Sequence, residues 1–83
     1  MTLEQLRSQI DQLDQSILQM LNQRAEYVLE IGRIKRQQQV QIHVPAREQQ
    51  ILDDLSRTNP GPLSNEAVRL IFQCIMEQMR AIQ

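Results

Sequence analysis

Aromatic side chains are nearly missing from these 83 residues, which hold one Phe, one Tyr and no Trp, only 2% of the chain. A core must therefore be built from Leu, Ile, Val and Met, a palette that favours helices packed on helices. Two Gly and three Pro are too few for the repeated tight turns of a β-rich fold. Cysteine occurs once, at Cys74 among apolar neighbours, so no intrachain disulfide can form, and a reducing compartment is expected. Neither charge sign dominates: nine Lys and Arg face ten Asp and Glu, for a formal net charge of −1. That balance argues against nucleic acid or a membrane surface as partner. No apolar run approaches membrane-spanning length, and the opening MTLEQLRSQIDQ is polar with no apolar targeting core. The expectation is a soluble, cytoplasmic chain forming a single domain, 1–83, all-α.

What is present is helical periodicity. Leu3, Leu6, Ile10, Leu13 and Ile17 begin a stripe with steps of three and four that continues through Val28, Ile31 and Ile34. One amphipathic helix over about 3–38 is predicted. At 1.5 Å per residue it would be roughly 50 Å long, whereas a compact chain of this size has a radius of gyration of about 12 Å. Such a helix outruns any fold its own chain can wrap around it, and a second subunit is the natural cover. The run 39–44 loses the period and reads as a loop. Pro45 suits the first position of a second helix, about 45–57, whose face carries Ile51, Leu52 and Leu55. Asn59-Pro60-Gly61-Pro62 breaks the chain within a loop, 58–64. Ser64 then offers an N-cap, Glu66 sits near the positive end of the helix, and Leu63 with Val68 can form a hydrophobic staple. The third helix, about 65–82, is expected to bury Val68, Ile71, Phe72, Ile75, Met79 and Ile82. The pattern is long, short, medium, with no internal repeat.

Charged residues fall where that pattern requires apolar ones. With successive residues turned by roughly 100°, the stripe of the first helix centres near 250°, and Arg24 and Lys35 land at about 240° and 260°. Arg33 and Arg36 point elsewhere, and Arg7 lies on one flank. On the second helix, Glu48 shares the face of Ile51, Leu52 and Leu55. An unpaired buried charge is costly and needs a partner or a ligand. One reading pairs Glu48 with Arg24 or Lys35 as a structural, register-setting ion pair. The other notes that two cations outnumber one carboxylate, a surplus that a bound anion would complete. The pattern alone leaves both open. His43 stands alone in a loop and reads as a solvated residue; Cys74 and the Met residues read as plain core. There is no Ser–His–Asp or Cys–His set, no metal-ligand spacing and no glycine-rich phosphate loop.

Taken in order, several strings resemble the all-α chorismate mutases. They are Leu6-Arg7-x-x-Ile10-x-x-Leu13-Asp14, Leu21-Asn22-Gln23-Arg24, Glu30-Ile31-Gly32-Arg33-Ile34-Lys35 and Pro45-Ala46-Arg47-Glu48. Pro62-Leu63-Ser64-x-Glu66-Ala67-Val68 and Leu70-Ile71-Phe72-Gln73-x-Ile75-Met76 continue the likeness into the third helix. The resemblance covers essentially the whole chain. It implies an intertwined homodimer with helical-bundle packing, the long helices pairing across subunits and the active sites shared between them. It implies the cofactor-free Claisen rearrangement of chorismate to prephenate, in the biosynthesis of phenylalanine and tyrosine. By the same resemblance, Arg24 and the other subunit's copy of Arg7 would clamp the substrate carboxylates. Lys35 and Gln83 would face the ether oxygen, Glu48 would bind the substrate hydroxyl, and Arg47 would support the pocket.

Two positions depart from the family pattern. Val44 stands where many members carry Asp, which removes a polar contact and an N-cap. Met79 stands where a small or hydroxyl residue is common. A lyase of the same fold, releasing pyruvate from isochorismate, is the nearest rival reading, and Arg47-Glu48 after Pro45-Ala46 looks more like the mutase branch. A non-catalytic helical dimerisation module, with its charges fixing register only, is the rival from another class.

Overall fold

Each helix starts where local chemistry can satisfy the exposed backbone N–H groups. At the N-terminus Thr2 and Gln5 form a reciprocal capping box, the Gln5 N–H donating to Thr2 Oγ1 at 3.1 Å and the Thr2 N–H to Gln5 Oε1 at 2.9 Å. Ser64 caps the last helix by accepting from the Ala67 N–H at 3.1 Å. Val44 precedes the middle helix in an extended conformation with no side-chain cap, and Pro45 opens it. The computed structural model describes residues 1–83 and contains three helices: α1 (Leu3–Gln38), α2 (Pro45–Thr58) and α3 (Asn65–Ile82). α2 runs one residue beyond the expected end, to Thr58, whose hydroxyl donates to the Asp54 carbonyl at 3.0 Å. No helix is long and apolar enough to cross a membrane.

The α2–α3 connection is organised by Asn59. Its Oδ1 accepts from the Gly61 N–H at 3.1 Å, while its Nδ2 donates to the Leu63 carbonyl and to Asn65 Oδ1, both at 2.8 Å. Gly61 adopts φ 75°, a left-handed conformation open to glycine at little cost. This turn lays α2 against α3, where Leu52, Val68, Met76 and Met79 are the buried apolar residues. Arg69 of α3 reaches Asp53 of α2 at 2.7 Å.

α1 sets the shape. Its 36 residues match the 54 Å long axis of the molecule, and the radius of gyration is 15.8 Å rather than the about 12 Å of a compact chain this size. Val28, Gly32 and Arg36 in its C-terminal half meet Gln83 at the end of α3. There Gly32 is buried, and a Cβ at that position would stand 3.6 Å from Cγ of Gln83, so the end of α3 comes down directly on the glycine. The first twenty residues are all exposed, including the apolar stripe, with Leu3 at 62% and Leu13 at 60%. Three α3 residues expected in the core are also exposed within the single chain: Ile71, Cys74 and Ile82. They line an apolar groove that α3 shares with Ile17, Leu18 and Leu21 of α1 and to which α2 contributes nothing. The reason is geometric, since α2 covers only one side of α3.

Candidate active site

A cleft of about 290 Å³ opens where the C-terminal half of α1, the start of α2 and the last turn of α3 converge. Arg24, Lys35, Arg47, Glu48 and Gln83 all line it, together with Arg80, so four cations face one carboxylate. The floor and walls are apolar, from Val28, Ile31, Ile51 and Met79 among others. Arg7 is not in this cleft. It lies seventeen positions before Arg24 on the same straight helix, about 26 Å away along the axis, and its side chain is exposed.

The cations of α1 are held without being neutralised. Arg24 and Lys35 are half-buried, and neither is within salt-bridge distance of a carboxylate. Lys35 Nζ donates to the Ile42 carbonyl at 3.0 Å, which orients the ammonium against the loop and leaves its other hydrogens free. Gln83 is anchored in a similar way. Its Nε2 donates to the Val28 carbonyl at 3.2 Å, and its own backbone carbonyl accepts from Arg36 Nη1 at 3.4 Å. Arg47 is exposed at the rim, with Nη1 3.4 Å from Gln50 Oε1.

Glu48 does have a partner, but neither of those expected. Instead of Arg24 or Lys35, Arg80 of α3 places Nη1 at 2.6 and 2.5 Å from its two carboxylate oxygens. Burial pushes the Glu48 carboxyl up; the hydrogen bond and charge of Arg80, with a smaller contribution from His43, outweigh it and hold the group below the usual carboxylate range. His43, read from sequence as standing alone, is 3.4 Å from Glu48 Oε1 through Nε2. The loop thus brings His43 beside the first turn of α2, with Val44 between them in an extended conformation. Arg80 was missed because it sits in the basic last turn of α3, where a cation is expected simply to complement the helix dipole. Its spacing of one turn from Met76, and its neighbour Met79, were the available signals.

The arrangement can bind a dianion and supply hydrogen bonds to a developing negative charge. Comparison with known proteins gives the cleft its context. Residues 6–83 match the family model described as chorismate mutase type II. The chain belongs to the chorismate mutase type II family. Among its relatives, a bifunctional chorismate mutase/prephenate dehydratase of Aquifex aeolicus is 35% identical over 98% of this chain but only 24% of that protein. A chorismate mutase of Methanocaldococcus jannaschii is 29% identical, over 98% of this chain and 83% of the relative. The structure of chorismate mutase (form I) from Thermus thermophilus superposes with a TM-score of 0.90 at 33% identity, covering 92% of this chain and 95% of that one. The first of these curated relatives are much longer proteins, and this family member spans about a quarter of their length.

Proposed function

We propose that the chain is a chorismate mutase, isomerising chorismate to prephenate in aromatic amino-acid biosynthesis, and that it works in the cytoplasm as a homodimer with shared sites. The observation that carries this reading is the half-buried pair Arg24 and Lys35, uncompensated by any carboxylate, on the wall of a cleft closed by α2 and α3. A small dicarboxylate supplies the missing negative charge. Desolvated cations in an apolar cleft bind it far more strongly than they would in bulk water.

The chemistry asks little of the protein beyond posture and charge. In the rearrangement the ether C–O bond breaks as a C–C bond forms within one molecule, with no acid, base or nucleophile required. Rate is gained by holding the reactive conformer and by stabilising charge that grows on the ether oxygen. Lys35 and Gln83 are the donors for that oxygen, each with hydrogens to spare beyond its anchoring bond. Arg24 takes one carboxylate. Glu48, ionised, accepts from the substrate hydroxyl, and Arg47 closes the rim.

Arg7 completes the site from the second copy. On its own chain it is too far along α1 to reach the cleft, yet the exposed stripe from Leu3 to Ile17 is a seam suited to another long helix. Pairing of two such helices would bring one subunit's first turns over the other's cleft. No resident cofactor enters this scheme.

The deciding experiment follows chorismate absorbance, identifies the product and measures solution mass. Prephenate from a two-chain species supports the proposal. Pyruvate from isochorismate would instead mark the lyase, and a dimer inert toward both would mark a structural module.

A further inference from the structure

We infer that Arg80 is a positioning residue for the site, its side chain fixing the Glu48 carboxylate across the α2–α3 interface. The inference rests on the proposed function only for its kinetic consequences; the coupling of Arg80 to Glu48 stands on geometry alone.

Three observations carry it. First, Nη1 of Arg80 meets both Glu48 oxygens, at 2.6 and 2.5 Å, so the carboxylate is pinned rather than tethered at one corner. Both side chains are mostly covered, 35% and 25% exposed, where an ion pair is screened less than at a surface. Second, the Arg80 carbonyl accepts the Gln83 backbone N–H at 3.2 Å. The side chain that holds the acceptor on α2 thus stands on the same final turn that carries Gln83. Third, Arg80 removes a competitor. Glu48 lines the same cleft as Arg24 and Lys35, and a freed carboxylate there would turn toward one of those cations and occupy part of the anion site. Glu48 also lies in the first turn of α2, whose N-terminal dipole favours its charge, and His43 Nε2 stands 3.4 Å from Oε1. These contacts are weaker than the Arg80 pair and grip one oxygen at most. Arg80 is the residue that sets the carboxylate's direction.

The test joins a titration to a double-mutant cycle. The Glu48 carboxyl is followed by NMR against pH in the ligand-free protein and in the Arg80→Ala and Arg80→Gln variants, with His43 monitored in the same spectra. Chorismate kinetics are measured for Arg80→Ala, Glu48→Gln and the pair. The expected result is a higher Glu48 midpoint in both Arg80 variants. With it should come a fall in kcat/KM of roughly ten- to a hundred-fold for Arg80→Ala, the range for a misplaced group near reacting atoms. That loss should largely vanish in the Glu48→Gln background, and Arg80→Lys should restore part of it. An unmoved Glu48 midpoint, or losses that simply add, overturns the inference. Should Arg80→Ala not fold, Arg80→Gln and Arg80→Lys decide the same question. If the wild-type protein leaves chorismate unchanged, the proposed function fails, while the titration still settles whether Arg80 holds Glu48.

Discussion

The side-chain amide of Gln83 donates to the carbonyl of Val28, 3.2 Å away and 55 positions earlier in the chain. This bond closes the cleft at its α1–α3 corner, and Gly32, one turn further along α1, leaves the space for it. A Gln amide has two N–H groups, so anchoring one on the α1 backbone directs the other without exhausting it. Lys35 follows the same logic through the Ile42 carbonyl. Donors preset by neutral carbonyls keep their full charge or polarity for a ligand, which carboxylate partners would not allow.

Replacing Lys35 by Ala should cost on the order of 3–4 kcal/mol of transition-state stabilisation, the scale of losing one donor to a developing oxyanion. The protein should remain folded, because the ammonium supports only one carbonyl bond. Steady-state kinetics beside circular dichroism checks this. A variant that unfolds, with wild-type specific activity in its folded fraction, would show Lys35 to be structural.

The proposal that two copies share their sites makes a complementation prediction. Arg7→Ala and Lys35→Ala homodimers should each be inactive, yet mixing them should restore activity, since a hybrid dimer carries one site with both residues intact. Native mass spectrometry confirms that hybrids form. Hybrids without recovered activity would place Arg7 outside the site.

The apolar stripe of α1 predicts the assembly. Leu13 is 60% exposed in the single chain, and Leu13→Glu would set an unpaired charge in the seam between two long helices. Solution mass should fall from twice 9.8 kDa toward the single-chain value, with activity lost in parallel. A dimer that persists with activity would locate the contact on another face.

Acid should loosen α2 from α3. Burial raises the Glu48 carboxyl, but Arg80 and His43 bring it net below its ordinary 4.5; the Arg69 hydrogen bond, helped by Gln49, brings Asp53 below 3.8. Each depressed carboxyl contributes stability above its unfolded value and loses it as pH falls through the lower folded value, where the unfolded chain binds more protons. Melting temperature should therefore drop between about pH 5 and about pH 2. The drop should be smaller in Glu48→Gln, whose side chain takes up no proton. An equal drop in that variant would assign the acid sensitivity elsewhere.

By itself the sequence determined the three helices, nearly all their ends, and the residues that do not fit. Periods of three and four, Pro45, the Asn59–Pro62 break and Ser64 are local signals, and helix formation depends on local chemistry. The misplaced charges Arg24, Lys35 and Glu48 were legible for the same reason: a charge on an apolar face is visible from spacing alone. Their partners were not. Whether Glu48 meets Arg24, Lys35 or Arg80 depends on how α3 crosses α2, a relation between residues 32 positions apart that no local pattern encodes. Only the packed chain decided that Arg80 takes the carboxylate, that His43 folds back beside it, and that Ile71, Cys74 and Ile82 face an open groove. Which surfaces are apolar is written in residue spacing; which of them a short second helix can cover is a matter of tertiary packing.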